Sequence, residues 1–476
     1  MASLGPQVVS AVNEARVSAG IRDWVSRRPR LGGDLLKLMP IAGDTLLAAL
    51  SFTLIGQLQQ DGEYSWLKDA LYVLMLVLAL FLHEMYGGVK QRRTSELITA
   101  LVGSLGLTLL MIAPVTYVMP GIANGFSLLA LVAVQFLLLL SWRSLLERGV
   151  IPHFGRQRVL IVGAGSRARR IREALQQKGT VIFEVIGCTA DREEESASDS
   201  FRRVGASRDL AGLVQREQID HVVVAQDNSR NVFPAADLLQ LKQSGVAVSE
   251  GEYMYERLMG KLLTDYVRPS VLIFASSPMH HTLQIWTKNA IDFIVALLLL
   301  IVTLPVTITV AILIKLTSRG PIIYKQQRVG LGGKVFTIYK FRSMCSDAEK
   351  DGVRWAATND SRVTPVGRFM RRARIDELPQ LINVLKGDMS MVGPRPERPQ
   401  FVDQLKRSIP FYDLRHTMRP GLSGWAQVRY RYGSSIEDAQ EKLRYDLYYI
   451  KNYSLFLDLT ILLETTKVVI FGWGAR

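Results

Sequence analysis

Apolar residues gather in four runs at residues 41–57, 66–86, 97–118 and 122–142, followed by a long mixed stretch and a fifth run at 291–314. Each of the first four is close to the roughly 20 residues a helix needs to cross hydrocarbon, so the pattern predicts four transmembrane helices. Charge at their edges gives an orientation. Lys37 precedes the first run, Lys90, Arg92 and Arg93 separate the second from the third, and Arg143 and Arg148 follow the fourth. The other two connections carry Asp61 and Glu63 or, around Pro120, no charge. An excess of cations marks the cytoplasmic side, which places both ends of the bundle there. Asp44, Asp69 and Glu84 fall near helix ends, where an acid is expected to sit at the interface or to pair helices.

After the fourth run the period changes. A short apolar strand at 158–162 leads into Gly163-Ala-Gly165-Ser-Arg-Ala168 and a helical stretch at 168–177, with further strands at 183–188 and 221–225. Alternating strands and helices predict a doubly wound parallel sheet. Two readings of the glycine turn stay open. It lets a phosphate approach the helix N-terminus, with Gly163 and Gly165 as nucleotide-binding positions, or it is simply the tightest way to join strand to helix in a structural or homodimer-forming module.

The fifth run is about 36 Å long as a straight helix. Pro305 interrupts it, and the hydroxyls of Thr303, Thr307 and Thr309 are placed to satisfy backbone groups the proline frees. Lys288 lies before it and Lys315 and Arg319 after it, so the charge rule asks for both flanks on the cytoplasmic side and predicts a bent, re-entrant helix over 288–316. Near the C-terminus, Leu455, Phe456, Leu459, Leu462 and Leu463 share one face of a stretch at 454–473, with Asp458, Glu464 and Lys467 away from it or at its edge. That is an interfacial helix, or one packed on the core.

Composition narrows the chemistry. The chain has 58 Lys and Arg against 43 Asp and Glu, a net charge of +15. With membrane segments on either side, these cations point to lipid and phosphorylated substrates, not to nucleic acid. Cys188 and Cys345 are the two cysteines, too few for a disulfide framework or a metal cage. No apolar core precedes Arg16, Arg22, Arg27, Arg28 and Arg30, so no secretory signal is expected.

Beyond the fifth run, Lys325, Arg328, Lys334, Lys340 and Arg342 alternate with apolar residues. This is either a hairpin at an anionic surface or a phosphate-binding floor. A basic stretch at 362–374 then meets Ile375-Asp376-Glu377-Leu-Pro379, where Asp376 taken alone reads as a helix N-cap with Gly387 as the stop. Gly393-Pro394-Arg395-Pro396 holds one guanidinium in a rigid turn suited to bidentate phosphate recognition.

Together, Lys340-Phe-Arg-Ser-Met344, Asp376-Glu-Leu-Pro379, Gly387-Asp-Met-Ser390, Gly393-Pro-Arg-Pro396 and Pro420-Gly-Leu-Ser-Gly-Trp425 resemble the monotopic phosphoglycosyl transferase superfamily over residues 288–472. The segments in front resemble its large bacterial members, which start exopolysaccharide, capsule or O-antigen assembly. One departure is Leu304-Pro305, where the helix-breaking element commonly reads Ser-Pro.

The resemblance implies an enzyme of the bacterial inner membrane, its N-terminus, middle and catalytic domains on the cytoplasmic side. It would transfer hexose-1-phosphate from a UDP-sugar, UDP-glucose or UDP-galactose, to undecaprenyl phosphate, with release of UMP. Asp376 would be the nucleophile, Asp376 and Glu377 the ligands of Mg²⁺, and Arg395, Lys340, Arg342 and Arg328 the substrate-binding cations. A membrane glycosyltransferase that releases UDP, or a non-catalytic nucleotide-sensing scaffold, are the alternatives.

The expected architecture is therefore a cytoplasmic segment (1–40), a membrane α-helical bundle of four transmembrane helices (41–148), a Rossmann-like α/β middle domain (149–275) and a mixed α/β catalytic domain (276–476). The last carries the re-entrant membrane helix and the C-terminal interfacial helix.

Overall fold

The computed structural model describes residues 33–58, 66–83, 85–86, 94–118, 125–150, 156–178, 182–189, 202–227, 234–265, 282–345, 360, 362–430, 433 and 435–471. The chain divides into two compact units, Met1–Met259 and Gly260–Arg476. Helices dominate both.

The first unit begins with α1 (Gly33–Leu58), α2 (Trp66–Leu82), α3 (Thr94–Val118) and α4 (Gly125–Leu145), one on each of the four apolar runs. Thr94–Ala113 and Ala130–Val150 are long and apolar enough to cross a membrane, whereas the apolar stretches Leu38–Ser51 and Ala70–Leu82 are shorter. Ala48, Leu76, Leu80, Leu97, Leu101 and Leu139 form their shared core. Gly43 lets α1 approach α4 closely, since a Cβ there would lie 2.3 Å from the Trp142 ring.

Asp44 pairs helices, as expected of it. Both its oxygens meet the Arg143 guanidinium and Oδ2 also accepts from Tyr86 Oη at 2.9 Å, while Arg143 Nη1 donates to Met85 O at 3.1 Å. Arg143 is thus buried in the bundle, because an unpaired carboxylate among apolar helices would be costly. Glu84, Lys90, Arg92 and Arg93, and the Asp69 side chain, lie outside the described residues.

The α/β region of this unit runs β1 (Gln157–Val162), α5 (Ser166–Lys178), β2 (Phe183–Thr189), β3 (Arg203–Gly205), α6 (Leu210–Arg216), β4 (His221–Val224), α7 (Ala235–Gln243), β5 (Ala247–Glu250) and α8 (Gly251–Met259). Its five strands are all parallel in the order β3-β2-β1-β4-β5, so the winding reverses between β1 and β4. Leu160, Val162, Ile186, Leu213 and Val222 fill the core.

The second unit opens with α9 (Thr282–Thr317), a 36-residue helix with Pro305 inside it that is also long and apolar enough to cross a membrane. Its burial is uneven. Asp292 and Ala296 on one side of the proline, and Val310 and Ile314 on the other, are buried, while Ile301, Val302 and Leu304 between them are at least half exposed. The threonine hydroxyls do not act as expected. Thr303, Thr307 and Thr309 donate to Leu299 O, Thr303 O and Pro305 O, not to Ile301 O, the carbonyl the proline leaves without its amide.

Next come the antiparallel hairpin β6 (Ile323–Val329) and β7 (Val335–Phe341), then α10 (Pro365–Arg372), a 3₁₀ turn (Ile375–Gln380) and α11 (Leu381–Lys386). Gly387, at φ 81°, stops α11 as the sequence indicates. After β8 (Ser390–Val392) follow α12 (Pro399–Ser408), a second 3₁₀ turn (Tyr412–Thr417), β9 (Gly421–Ser423), α13 (Trp425–Arg429), α14 (Ile436–Lys451) and α15 (Leu455–Phe471).

In α15 Phe456 and Leu459 are exposed, whereas Asp458 turns inward. It takes Lys288 Nζ at 2.7 Å and Tyr449 Oη at 2.6 Å, so the helix packs on the core through a buried ion pair. Residues 260–265 belong to this unit too. Trp425 Nε1 donates to Gly260 O at 2.6 Å, and Leu262 is buried among Val329, Leu443 and Leu447.

Candidate active site

Three elements of the second unit converge on one pair of acids. Strand β7 delivers Lys340. It is set against α11 by Asn383, whose Oδ1 accepts from Tyr339 N at 3.1 Å and whose Nδ2 donates to Thr337 O at 2.8 Å. Between α10 and the 3₁₀ turn, Arg374 adopts a left-handed conformation, φ 55°, which costs a non-glycine residue on the order of 1 kcal/mol. Arg374 is the residue before the turn, so Asp376 lies inside it and makes no cap bond. The helix-cap interpretation of Asp376 therefore fails.

Asp376 and Glu377 are equally buried, each 8% exposed, but their surroundings differ. Glu377 Oε1 accepts from Arg395 Nη2 at 2.7 Å and from Lys340 Nζ at 3.2 Å, and its Oε2 lies 3.6 Å from Arg374 Nη1. Asp376 has no hydrogen bond or ion pair among the described residues. Burial would raise Glu377, but Arg395, Lys340 and Arg374 hold it well below the usual range. Burial, then the Glu377 charge, pushes Asp376 up to about 6, against the pull of Lys340, Arg371 and Arg395. Two adjacent carboxyls are thus driven apart, one a fixed counterion and the other unengaged.

Of the expected cations, Lys340 and Arg395 meet at Glu377. Arg328 is engaged elsewhere, donating from Nη1 to Pro396 O at 3.0 Å and to Glu397 Oε2 at 3.4 Å, and from Nη2 to Gln326 Oε1 at 2.7 Å. Arg342 is directed elsewhere. Its Nη1 donates to Arg319 O and its Nη2 to Ser318 O, each at 2.9 Å, closing the C-terminal end of α9. Gly320, at φ 123°, makes room for that guanidinium: a Cβ would lie 2.1 Å from Nη1.

Arg371 and Arg374 belong to this electrostatic cluster and were not singled out from the sequence, although both stand in the basic stretch that precedes the acids. Mg²⁺ bound at a diphosphate needs only one or two protein carboxylates, the substrate supplying the rest. Asp376, unengaged and raised by its surroundings, fits that demand, while Glu377 already holds three cations. Among the described residues no group of three or more His, Cys, Asp or Glu forms a separate metal cage.

The glycine turn of the first unit is different. Gly163 has φ 116°, and a Cβ on it would meet Ala225 O at 2.7 Å. Gly165 leaves room for Asp227, whose carboxylate accepts from Ser166 N at 2.8 Å, Ser166 Oγ at 3.1 Å and Arg167 N at 3.0 Å. The anion position at the start of α5 is filled by the chain's own carboxylate, which favours the structural reading of this turn.

Residues 283–472, which include the acidic pair, match the family described as bacterial sugar transferase. The exopolysaccharide production protein PSS of Rhizobium leguminosarum bv. phaseoli is 42% identical over 187 residues, 37% of this chain and 92% of that protein. The chain belongs to the bacterial sugar transferase family.

Two longer members are also similar to this sugar transferase chain. The UDP-N-acetylgalactosamine-undecaprenyl-phosphate N-acetylgalactosaminephosphotransferase of Aeromonas hydrophila is 46% identical over 221 residues, 46% of this chain and 52% of that protein. The UDP-glucose:undecaprenyl-phosphate glucose-1-phosphate transferase of Klebsiella pneumoniae is 33% identical over 316 residues, 66% of this chain and 67% of that protein. The chain thus spans about half the length of the first and two thirds of the second. Within the sugar transferase family region lie Lys340, Asp376, Glu377 and Arg395; the glycine turn of the first unit lies outside it.

Proposed function

We propose that this protein transfers a sugar-1-phosphate from a UDP-sugar to undecaprenyl phosphate through an aspartyl intermediate on Asp376. The observation that carries this reading is the contrast within the acidic pair: Glu377 neutralises a cation cluster while Asp376 beside it is unengaged and raised to about 6. At neutral pH Asp376 is mostly ionised. Its carboxylate oxygen attacks the β-phosphorus of the UDP-sugar, the bond to the bridging oxygen breaks, and UMP leaves. A phosphate oxygen of undecaprenyl phosphate then attacks the same phosphorus, and the bond to Asp376 breaks to restore the carboxylate.

Arg395 and Lys340 hold phosphoryl oxygens during both steps, their orientation fixed in advance by Glu377. Mg²⁺, when bound by Asp376 with Glu377 beside it, would neutralise diphosphate charge. The donor sugar is a hexose or N-acetylhexosamine: the expectation was glucose or galactose, and the relatives are named for glucose and N-acetylgalactosamine.

A re-entrant α9 is part of the proposal. Lys288, Asp292 and Ala296 before the proline and Val310 and Ile314 after it are buried, while the apolar stretch between them, with Ile301, Val302 and Leu304, is uncovered, a pattern that supports insertion from one face with both flanks returning to it. Four spans in the first unit, with the N-terminus, the α/β region and the catalytic residues of the second unit on the cytoplasmic side of the inner membrane, would complete the topology. This would bring the acidic pair to the depth at which a polyprenyl phosphate presents its head.

The full chain in lipid nanodiscs with undecaprenyl phosphate, Mg²⁺ and a panel of UDP-sugars tests the reaction. UMP release that requires the acceptor for multiple turnover is expected. Release of UDP would assign a glycosyltransferase instead, and no turnover with any donor a scaffold.

A further inference from the structure

We propose that Arg415, held by the buried carboxylate of Asp446, is the positioning residue that sets the Pro394-Arg395-Pro396 turn and so aims Arg395 at the acidic pair. This rests on the transferase reading of that pair. The turn has few means of holding itself, since neither proline donates a hydrogen bond. On one side β9 secures it: Gly393 N donates to Ser423 O at 2.9 Å and Gly421 N to Pro394 O at 3.0 Å. On the other, two arginines take its carbonyls, Arg328 at Pro396 O and Arg415 Nη2 at Arg395 O, the latter at 2.8 Å.

Arg415 is tied in three directions. The same Nη2 lies 2.9 Å from Asp446 Oδ2 on α14, and Nη1 donates to Tyr412 Oη at 2.5 Å. Arg415 is 7% and Asp446 2% exposed. A buried ion pair of this kind is rarely more stabilising than apolar residues filling the same space, so stability alone does not account for it. Geometry does. A planar fork reaches a carboxylate, a phenol and a backbone carbonyl at once, which an ammonium on a flexible stem cannot. The carbonyl it grips belongs to the residue whose side chain meets Glu377.

The test uses the full-length protein in nanodiscs as wild type, R415K, R395K and R395K/R415K, with kcat for UMP release, donor KM and melting temperature measured for each. R415K keeps a cation beside Asp446 but cannot make all three contacts. The expected result is a fall in kcat of about 10²-fold, the loss typical of a small misplacement of a catalytic group. Melting should stay within about 2 °C of wild type, and R415K should add almost nothing in the R395K background.

Losses that multiply across the double variant, or wild-type kcat in R415K, would overturn the proposal. If R415K does not fold, the volume-preserving R415M/D446L carries the test: folded protein with slow turnover supports positioning, and folded protein at wild-type kcat refutes it. A wild type that releases no UMP removes the transferase reading itself, whereas an active wild type with multiplicative losses removes only the role of Arg415.

Discussion

The two units each present a carboxylate beside arginines, and they use it in opposite ways. In the parallel sheet, Asp227 gives its oxygens to Ser166 and Arg167 at the start of α5, and Arg167 reaches on to Glu252 at 2.7 Å. Both oxygens of the Asp227 carboxylate are thus consumed by the fold. In the second unit Glu377 is consumed in the same way, by Arg395, Lys340 and Arg374, but its neighbour Asp376 is not. A glycine turn with the look of a phosphate site is thus closed by the protein's own anion, and a dipeptide with the look of a helix cap is left open for chemistry. The difference is whether the local charge is already balanced.

The comparison can be broken most sharply by paired amide substitutions. Asp376→Asn should lower UMP release by at least about 10³-fold, as expected when a nucleophile is removed, whereas Asp227→Asn should leave turnover unchanged; equal effects from the two would erase the distinction. Glu377→Gln comes next. Loss of the counterion disorders three cations at once, and kcat should fall by about 10²–10³-fold, the range for losing one preorganised electrostatic contact. A change confined to donor KM would show instead that Glu377 serves ground-state binding.

Smaller effects concern the closed site. Asp227→Ala leaves the amides of Ser166 and Arg167 without an acceptor and should cost about 1 kcal/mol, the usual value of a helix N-terminal cap, seen as a lowered unfolding midpoint with turnover retained. An Asp227→Ala protein as stable as wild type would mean that the carboxylate closes nothing. The least conspicuous effect is a titration. In metal-free protein, burial and the charge of Glu377 move Asp376 from the ordinary 3.8 to about 6, so its carboxylate band should grow as pH rises through 6 in the infrared difference between wild type and Asp376→Asn. A midpoint near 4 would contradict the buried, like-charge environment.

Much of the architecture was legible because it depends on local pattern. Apolar length marks α1 to α4 and α9, alternation marks β6 and β7, and Gly387 marks the end of α11. The short strands were not. Arg203-Val-Gly205 and Ala247-Val-Ser-Glu250 lie at the sheet edges with too few apolar residues to show a period. Of the site, Arg395, Lys340 and the two acids could be picked out from their motifs, whereas the pairing of both cations with Glu377 emerges only in the fold. The roles of Arg342 and Asp227 could not, because each is decided by partners far away in sequence, Ser318 and Arg319 in one case and Ser166 and Arg167 in the other. Asp458 misled for the same reason: on a helical wheel it stands off the apolar face, and only Lys288, at a separation of 170 residues, explains why it faces inward.

The central claim is that Asp376, left unengaged beside a neutralised cation cluster, forms a covalent bond to the donor's phosphate. Rapid quench of wild-type protein with a UDP-sugar substrate and Mg²⁺ but no acceptor, followed by peptide mass spectrometry, tests it directly. The predicted result is a phosphosugar adduct on the peptide containing Asp376, formed with one equivalent of UMP and chased away by undecaprenyl phosphate. Acceptor-dependent turnover with no adduct and no UMP before the acceptor is added would contradict it.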